Sequence, residues 1–418
     1  SVIKDVVSSV SEKDIKKAVA QSSKHWIFGK GAHIDFQGET VVSAQAKNDV
    51  SPNIEGNEGI TVATDHLGNV KFFTDGKNIY DKNGNVKVSG LNAHATTTQA
   101  AAVFPIKNNR YVIVTSSAAS EDYKLGKLEY TVVDVSGGGV AVVGLKNQQF
   151  GNKSGEVIGE SLTIARNQDD TGYWVVVNFP GTNRMGAIAV PYEWDGNNGK
   201  AFSYVESSLG GVAGTASGGG YAPGFGSINF NNDQNKAVIA ANADSKDRTI
   251  VKTMSFDRLS GRFTNVLAEW KIYRRDDQNE KGMMYSADFS PKDNYIYVST
   301  LHTAGKGGHA IAGMIYRYKL HSGAPMEIVS STKKDPLPYY TDNPSEACQE
   351  TWGSSSGGQI KSAPDGKMYV ANKNYKYIGV IEYPDATDIK KIGWKPKGLE
   401  LKGKCNSYGL PQMAAISK

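Results

Sequence analysis

Residues 357–372, GGQIKSAPDGKMYVAN, decide the fold. A short strand ends at Ser362-Ala363, Pro364-Asp365-Gly366 makes a tight turn, and residues 367–371 (KMYVA) return with side chains alternating between two faces. This is one hairpin of a repeated sheet. Residues 286–299 (SADFSPKDNYIYVS) follow the same plan, with a turn over 291–294 and with Tyr295 and Tyr297 on one face. Looser copies lie at 227–242 (SINFNNDQNKAVIAAN), 161–178 (SLTIARNQDDTGYWVVVN), 102–115 (AVFPIKNNRYVIVT) and 60–75 (ITVATDHLGNVKFFTD). Copies start roughly 40 to 70 residues apart, close to the spacing of propeller blades.

A repeat that spans nearly all of the 418 residues argues for one large domain over two or three smaller ones. The 46 glycines, 21 tyrosines and 6 tryptophans, with no long helical pattern beyond the start, indicate an all-β protein of many short strands. The formal charge is +5, but basic and acidic residues are interspersed, so the concentrated positive face that nucleic acid requires is missing. No apolar run approaches the roughly 18 residues needed to cross a bilayer, so no direct membrane insertion is expected. The two cysteines, Cys348 and Cys405, both fall in the last fifth of the chain. That placement suits a disulfide in an exported protein, the other reading being two free buried thiols. No signal peptide is visible after Ser1, so a leader or upstream domain is expected to have been removed or left out.

Residues 1–24 stand apart as a helix or linker, because residues 11–14 (SEKD) read as a capping box. Residues 25–418 form the propeller. Residues 24–36 and 40–45 look like three strands that lack an innermost partner, and the apolar tail 408–416 (YGLPQMAAI) lacks partners of its own. If the tail supplies the missing strand, the ring has no free edge. The expected fold is a seven-bladed β-propeller closed by N- and C-terminal strands sharing one blade. The other six blades are expected at 59–88, 100–145, 160–205, 226–272, 285–330 and 358–401.

Several segments together are similar to one family. They are residues 26–29 (WIFG), 34–36 (IDF), 58–60 (EGI), 68–76 (GNVKFFTDG), 79–80 (IY), 363–370 (APDGKMYV), 378–381 (IGVI) and 408–411 (YGLP), in that order. The chain from Trp26 onward resembles the propeller near the N-terminus of large Bacteroidetes surface proteins that carry PKD repeats and are associated with gliding and adhesion. The resemblance implies a secreted or cell-surface binding module and offers no catalytic residues. No PKD repeat follows Pro411 in this chain.

In a propeller, the connections from each outermost strand to the next innermost strand emerge on one face, which collects variable loops and often the ligand. Here these connections are long, at 90–99, 146–159, 209–225, 273–284 and 332–358. The last holds Tyr339, Tyr340, Cys348 and Trp352, rigid aromatics suited to a sugar ring or protein partner. They could equally cap the core beneath the loop. Arg274 and Arg275 could fork onto an acidic glycan, although Asp276 and Asp277 beside them favour self-pairing. The glycine-rich 209–225 loop lacks the ending of a phosphate loop and offers Tyr221 and Phe225 as anchors.

His302 and His309 are close in sequence, but no third ligand stands beside them at metal spacing, so no metal or other cofactor is expected. Residues 168–172 (QDDTG) match an ordinary turn better than a calcium loop. The nearest approach to a sialidase-type box, residues 167–174 (NQDDTGYW), fails its spacing, and no nucleophile elbow or zinc-protease motif occurs. Glu58, Asp65, Glu160 and Asp288 are the carboxylates from which an axial acid pair could be assembled. The expected function is therefore adhesion to a glycan or host surface protein through the long-loop face, by a monomeric domain of a larger secreted or bacterial cell-surface protein. The alternative is a propeller glycan hydrolase or lyase.

Overall fold

The computed structural model describes residues 24–36, 46–50, 58–118, 126–150, 158–179, 184–208, 226–242, 248–273, 283–301, 313–331, 333–338, 344–348 and 357–411. The expected helix or linker over 1–24 lies outside them except for Lys24. The chain is an all-β β-propeller. Six sheets each carry a four-strand path in which neighbours in sequence are neighbours in the sheet, at residues 61–88, 101–149, 162–207, 226–273, 283–330 and 360–400. These follow the expected blades to within a few residues. A further sheet has three strands, β1 (His25–Phe28), β2 (Ala32–Asp35) and β3 (Lys47–Val50). The third of these lies at 47–50, and the expected strand at 40–45 falls outside the described residues.

The inner strands of a blade bury both faces, as in Leu162–Arg166 and Gly172–Asn178, which is why they read as apolar runs more than as a clean alternation of polar and apolar positions. In the second four-stranded blade, Ala102, Phe104, Val112 and Val114 pack with the third blade. Ala101, Val103, Tyr111 and Ile113, one residue out of step, pack with the first. Polar side chains then fasten blade to blade. Arg317 is fully buried, 2.9 Å from Glu327, with its guanidinium carbon 3.9 Å from the Tyr295 ring centroid. It donates to the carbonyls of Ala386 at 2.6 Å and Thr387 at 2.8 Å in the sixth four-stranded blade.

The two ends of the described chain come together. Trp26, Phe28, Ile34 and Phe36 share one apolar cluster with Ile60, Val62 and Phe73 of the first four-stranded blade and with Tyr369, Ile378 and Leu401 of the sixth. Leu410 lies in the same cluster. Lys30 N–H, in the β1–β2 turn, donates to the carbonyl of Cys405 at 2.9 Å. The three-stranded sheet thus packs between the first and sixth four-stranded blades, and the tail reaches its cluster at Leu410.

Candidate ligand face and its axial plug

The innermost strands all enter from the long-loop face, so residues just ahead of them gather round the axis there. Gln99 ends the 90–99 loop and is 2% exposed. Its Oε1 accepts the N–H of Leu162 at 3.1 Å and of Ile228 at 2.9 Å, and its Nε2 donates to the carbonyl of Ile228 at 2.9 Å. Gln359, ahead of the strand Ile360–Ser362, donates through Nε2 to the Thr98 carbonyl at 2.8 Å and accepts the Leu410 N–H at 2.9 Å. Two amides thereby tie together four blades and the tail. Inner-strand backbone groups that face the axis have no strand partner, and these side chains satisfy them.

Two carboxylates share this layer. Glu160 Oε1 accepts the N–H of Thr98 at 3.0 Å, and Glu58 Oε1 accepts the hydroxyl of Tyr285 at 2.6 Å. Both carboxylates and the phenol are buried. Burial, then the charge and hydrogen bond of Glu58 and the charge of Glu160, hold the Tyr285 hydroxyl well above the usual phenol range. Tyr285 therefore remains a donor. Above it lies the half-buried Tyr408, its ring 5.9 Å from that of Tyr285, with Lys373 Nζ 4.4 Å from its centroid. Close approach demands glycine here, because a Cβ on Gly409 would overlap the Glu58 carbonyl and one on Gly59 would overlap Ala100.

A second polar layer lies deeper. Lys361 Nζ donates to Asn229 Oδ1 at 3.0 Å, and Asp288 accepts the backbone N–H of Phe289 at 2.8 Å and of Ser362 at 2.9 Å. Burial raises the Asp288 carboxyl to about 6, and burial lowers the Lys361 ammonium to about 8. Both departures mean that the charged forms cost stability. Between the ordinary 3.8 of an aspartate and about 6, the native chain holds a proton that the unfolded chain has released. Wild-type stability measured against Asp288→Asn should fall as pH rises through that window and level off above it. Measured against Lys361→Met, it should rise as pH climbs from about 8 to 10.5. Denaturant titrations at stepped pH check both slopes, and flat differences would refute the burial account.

Asp65 does not join the other carboxylates. It follows an inner strand instead of preceding one, and so lies in a hairpin turn at the opposite end. There it accepts the N–H of Leu67 and of Asn69 at 2.9 Å and pairs with Lys71 at 3.4 Å. Asp288 belongs to the deeper layer, which leaves Glu58 and Glu160 as the pair at the mouth. The 168–172 segment is a turn capped by Asn167, whose Oδ1 accepts Thr171 N–H at 2.8 Å, with Asp170 set 3.5 Å from Arg166.

The expected bridge between Cys348 and Cys405 is present, closing 57 residues of sequence separation with the Cα atoms 6.2 Å apart. It pins the 332–358 loop to the rim beside Lys30. The short helix Pro344–Glu346 is fastened there as well. The Glu346 carboxylate accepts from Lys397 Nζ at 2.7 Å and from the Tyr375 hydroxyl, and Cys348 N–H donates to the Asn374 carbonyl at 3.0 Å. The Lys397 and Tyr375 hydrogen bonds hold the Glu346 carboxyl below the usual glutamate range. Tyr221, Phe225, Arg274, Arg275, Tyr339, Tyr340, Trp352, His302 and His309 all lie outside the described residues. Sequence patterning alone does not mark Gln99, Gln359 or Tyr285. The signal available was a lone amide directly ahead of an inner strand, at Gln99-Ala100 and again at Gln359-Ile360.

No protein-family model and no curated protein sequence matches the chain. Solved structures resemble it distantly, at low identity. A Bacteroides uniformis protein, provisionally assigned as a 6-phosphogluconolactonase, is 10% identical over 85% of this chain and 92% of its own, with a TM-score of 0.46. Hydrazine synthase of Kuenenia stuttgartiensis is 12% identical over 82% and 83%, with a TM-score of 0.40. A prolyl endopeptidase is 10% identical over 94% of this chain and 52% of its own, with a TM-score of 0.36. These likenesses concern the propeller fold alone. Among the described residues, no helix is long and apolar enough to cross a membrane.

Proposed function

We propose that the chain is an adhesion module of a secreted or surface-displayed protein, which binds a glycan or a protein partner on its long-loop face. In this reading the tail 410–416 adds the innermost strand to the three-stranded sheet, shutting a ring of seven blades. The observation that carries the reading is the axial plug. Gln99, Gln359, Glu58, Glu160 and Tyr285 spend their polar groups on one another and on the backbone, so the face offers a filled, rigid floor beneath the loops. A partner would be taken by the loops standing on that floor, the longest of them stapled by Cys348–Cys405. Tyr221, Phe225, Arg274, Arg275, Tyr339, Tyr340 and Trp352 are the residues proposed to make contact.

A glycan array and a cell-binding assay with wild type and a Tyr340→Ala, Trp352→Ala variant test this. The double variant is expected to weaken binding at least tenfold, since aromatic anchors dominate such surfaces. Unchanged binding removes both residues from the site. One observation favours the second reading, a glycan hydrolase or lyase, namely that Glu58 accepts the hydroxyl of a buried tyrosine that also feels the charge of Glu160. Turnover of any glycan that is abolished by Glu160→Gln in a folded variant would move the assignment to that class.

A further inference from the structure

We propose that His25 Nδ1 and His33 Nε2 form a binding site for a borderline divalent transition-metal ion, Zn2+, Ni2+ or Cu2+, at the seam between the three-stranded sheet and the first four-stranded blade. The two nitrogens face each other at 3.1 Å across the β1–β2 hairpin. Two nitrogens bound at about 2.0–2.1 Å to a tetrahedral ion stand about 3.3 Å apart, so little movement is needed. The orientation of His25 is fixed from behind. Its Nε2 lies 3.0 Å from the Gly68 carbonyl, which can only accept, so Nε2 carries a hydrogen and, in the neutral imidazole that binds metal, Nδ1 presents a lone pair.

That is the arrangement in which a ligating histidine is held by an outer carbonyl. His25 is buried at 6% exposure, whereas His33 is half-buried, so an ion can reach the pair from one side. With His25 neutral, the contact between the rings is made by a hydrogen on His33 Nε2. An ion would replace it as His33 passes to its Nδ1–H tautomer, with no change in the charge of either ring. The Asp35 carboxylate, 3.9 Å from His25 Nδ1, lies close enough to hold a water on the ion. Among the described residues no three His, Cys, Asp or Glu side chains are grouped to hold a metal by themselves. The site is therefore a two-nitrogen clasp completed by water, of the class that favours imidazole-preferring ions over Ca2+ or Mg2+.

The test is calorimetric titration of the full chain with Zn2+ and Ni2+, alongside thermal unfolding. Wild type is expected to bind one ion and to melt a few degrees higher with metal. His33→Gln, which keeps a donor for His25 Nδ1, should lose at least tenfold in affinity and lose the metal-induced shift. A His302→Ala, His309→Ala variant should match wild type. Equal affinity in wild type and His33→Gln, absence of binding at millimolar metal, or loss only in the His302, His309 variant would each overturn the proposal.

Discussion

A Gln99→Ala variant should lose about 3–5 kcal/mol of folding stability, the largest cost expected of any single side chain in the axial plug. The truncation strands the N–H groups of Leu162 and Ile228 and the carbonyl of Ile228, all facing the axis where no strand can pair with them. Gln99→Glu keeps the acceptor but turns a second oxygen on the buried Ile228 carbonyl, so it should be destabilised at neutral pH and recover towards wild type in acid, where the protonated carboxyl can donate. Denaturant unfolding of the three proteins orders them. A loss under about 1 kcal/mol for the alanine variant would mean that water replaces the amide freely, and the floor proposed for the binding face would be neither dry nor rigid.

Cys348→Ser should cost about 2–4 kcal/mol, because the bridge closes a long loop and its removal returns that freedom to the unfolded chain. Wild type in reductant should then match the serine variant in oxidant. The native fold around the bridge should persist, since Glu346 is still held by Lys397 and Tyr375, and Lys376 N–H still donates to the Glu346 carbonyl at 2.8 Å. A variant as stable as wild type would show the staple to be incidental to the loop.

Hairpins with strong turn chemistry were legible from sequence alone. The turn at Pro364-Asp365-Gly366 and the apolar runs around it place a blade because Gly366 takes a φ of 78°, which few other residues tolerate. The strand Lys47–Val50 was not legible. Its sequence KNDV is polar, as befits the outer edge of a sheet, and carries none of the pattern that burial imposes. Glu58 and Glu160 could be named as candidates from their place ahead of inner strands, and Asp65 was grouped with them wrongly because its place after a strand sends it to the far end of the ring. Gln99 and Gln359 escaped notice for a different reason. A single amide at the end of a loop looks solvated in a sequence, and only the topology shows that it points at the unpaired backbone of blades more than 50 residues away.

In the proposed ring the chain's tail supplies the closing strand. Hydrogen exchange of residues 412–416, followed by mass spectrometry on the intact chain, measures this directly. A tail zipped beside His25–Phe28 should exchange as slowly as the inner strands Ala101–Ile106 and Leu162–Arg166. Exchange of the tail within seconds, while β1 and β2 stay protected, would leave the three-stranded sheet without an inner strand and contradict the closed seven-bladed ring.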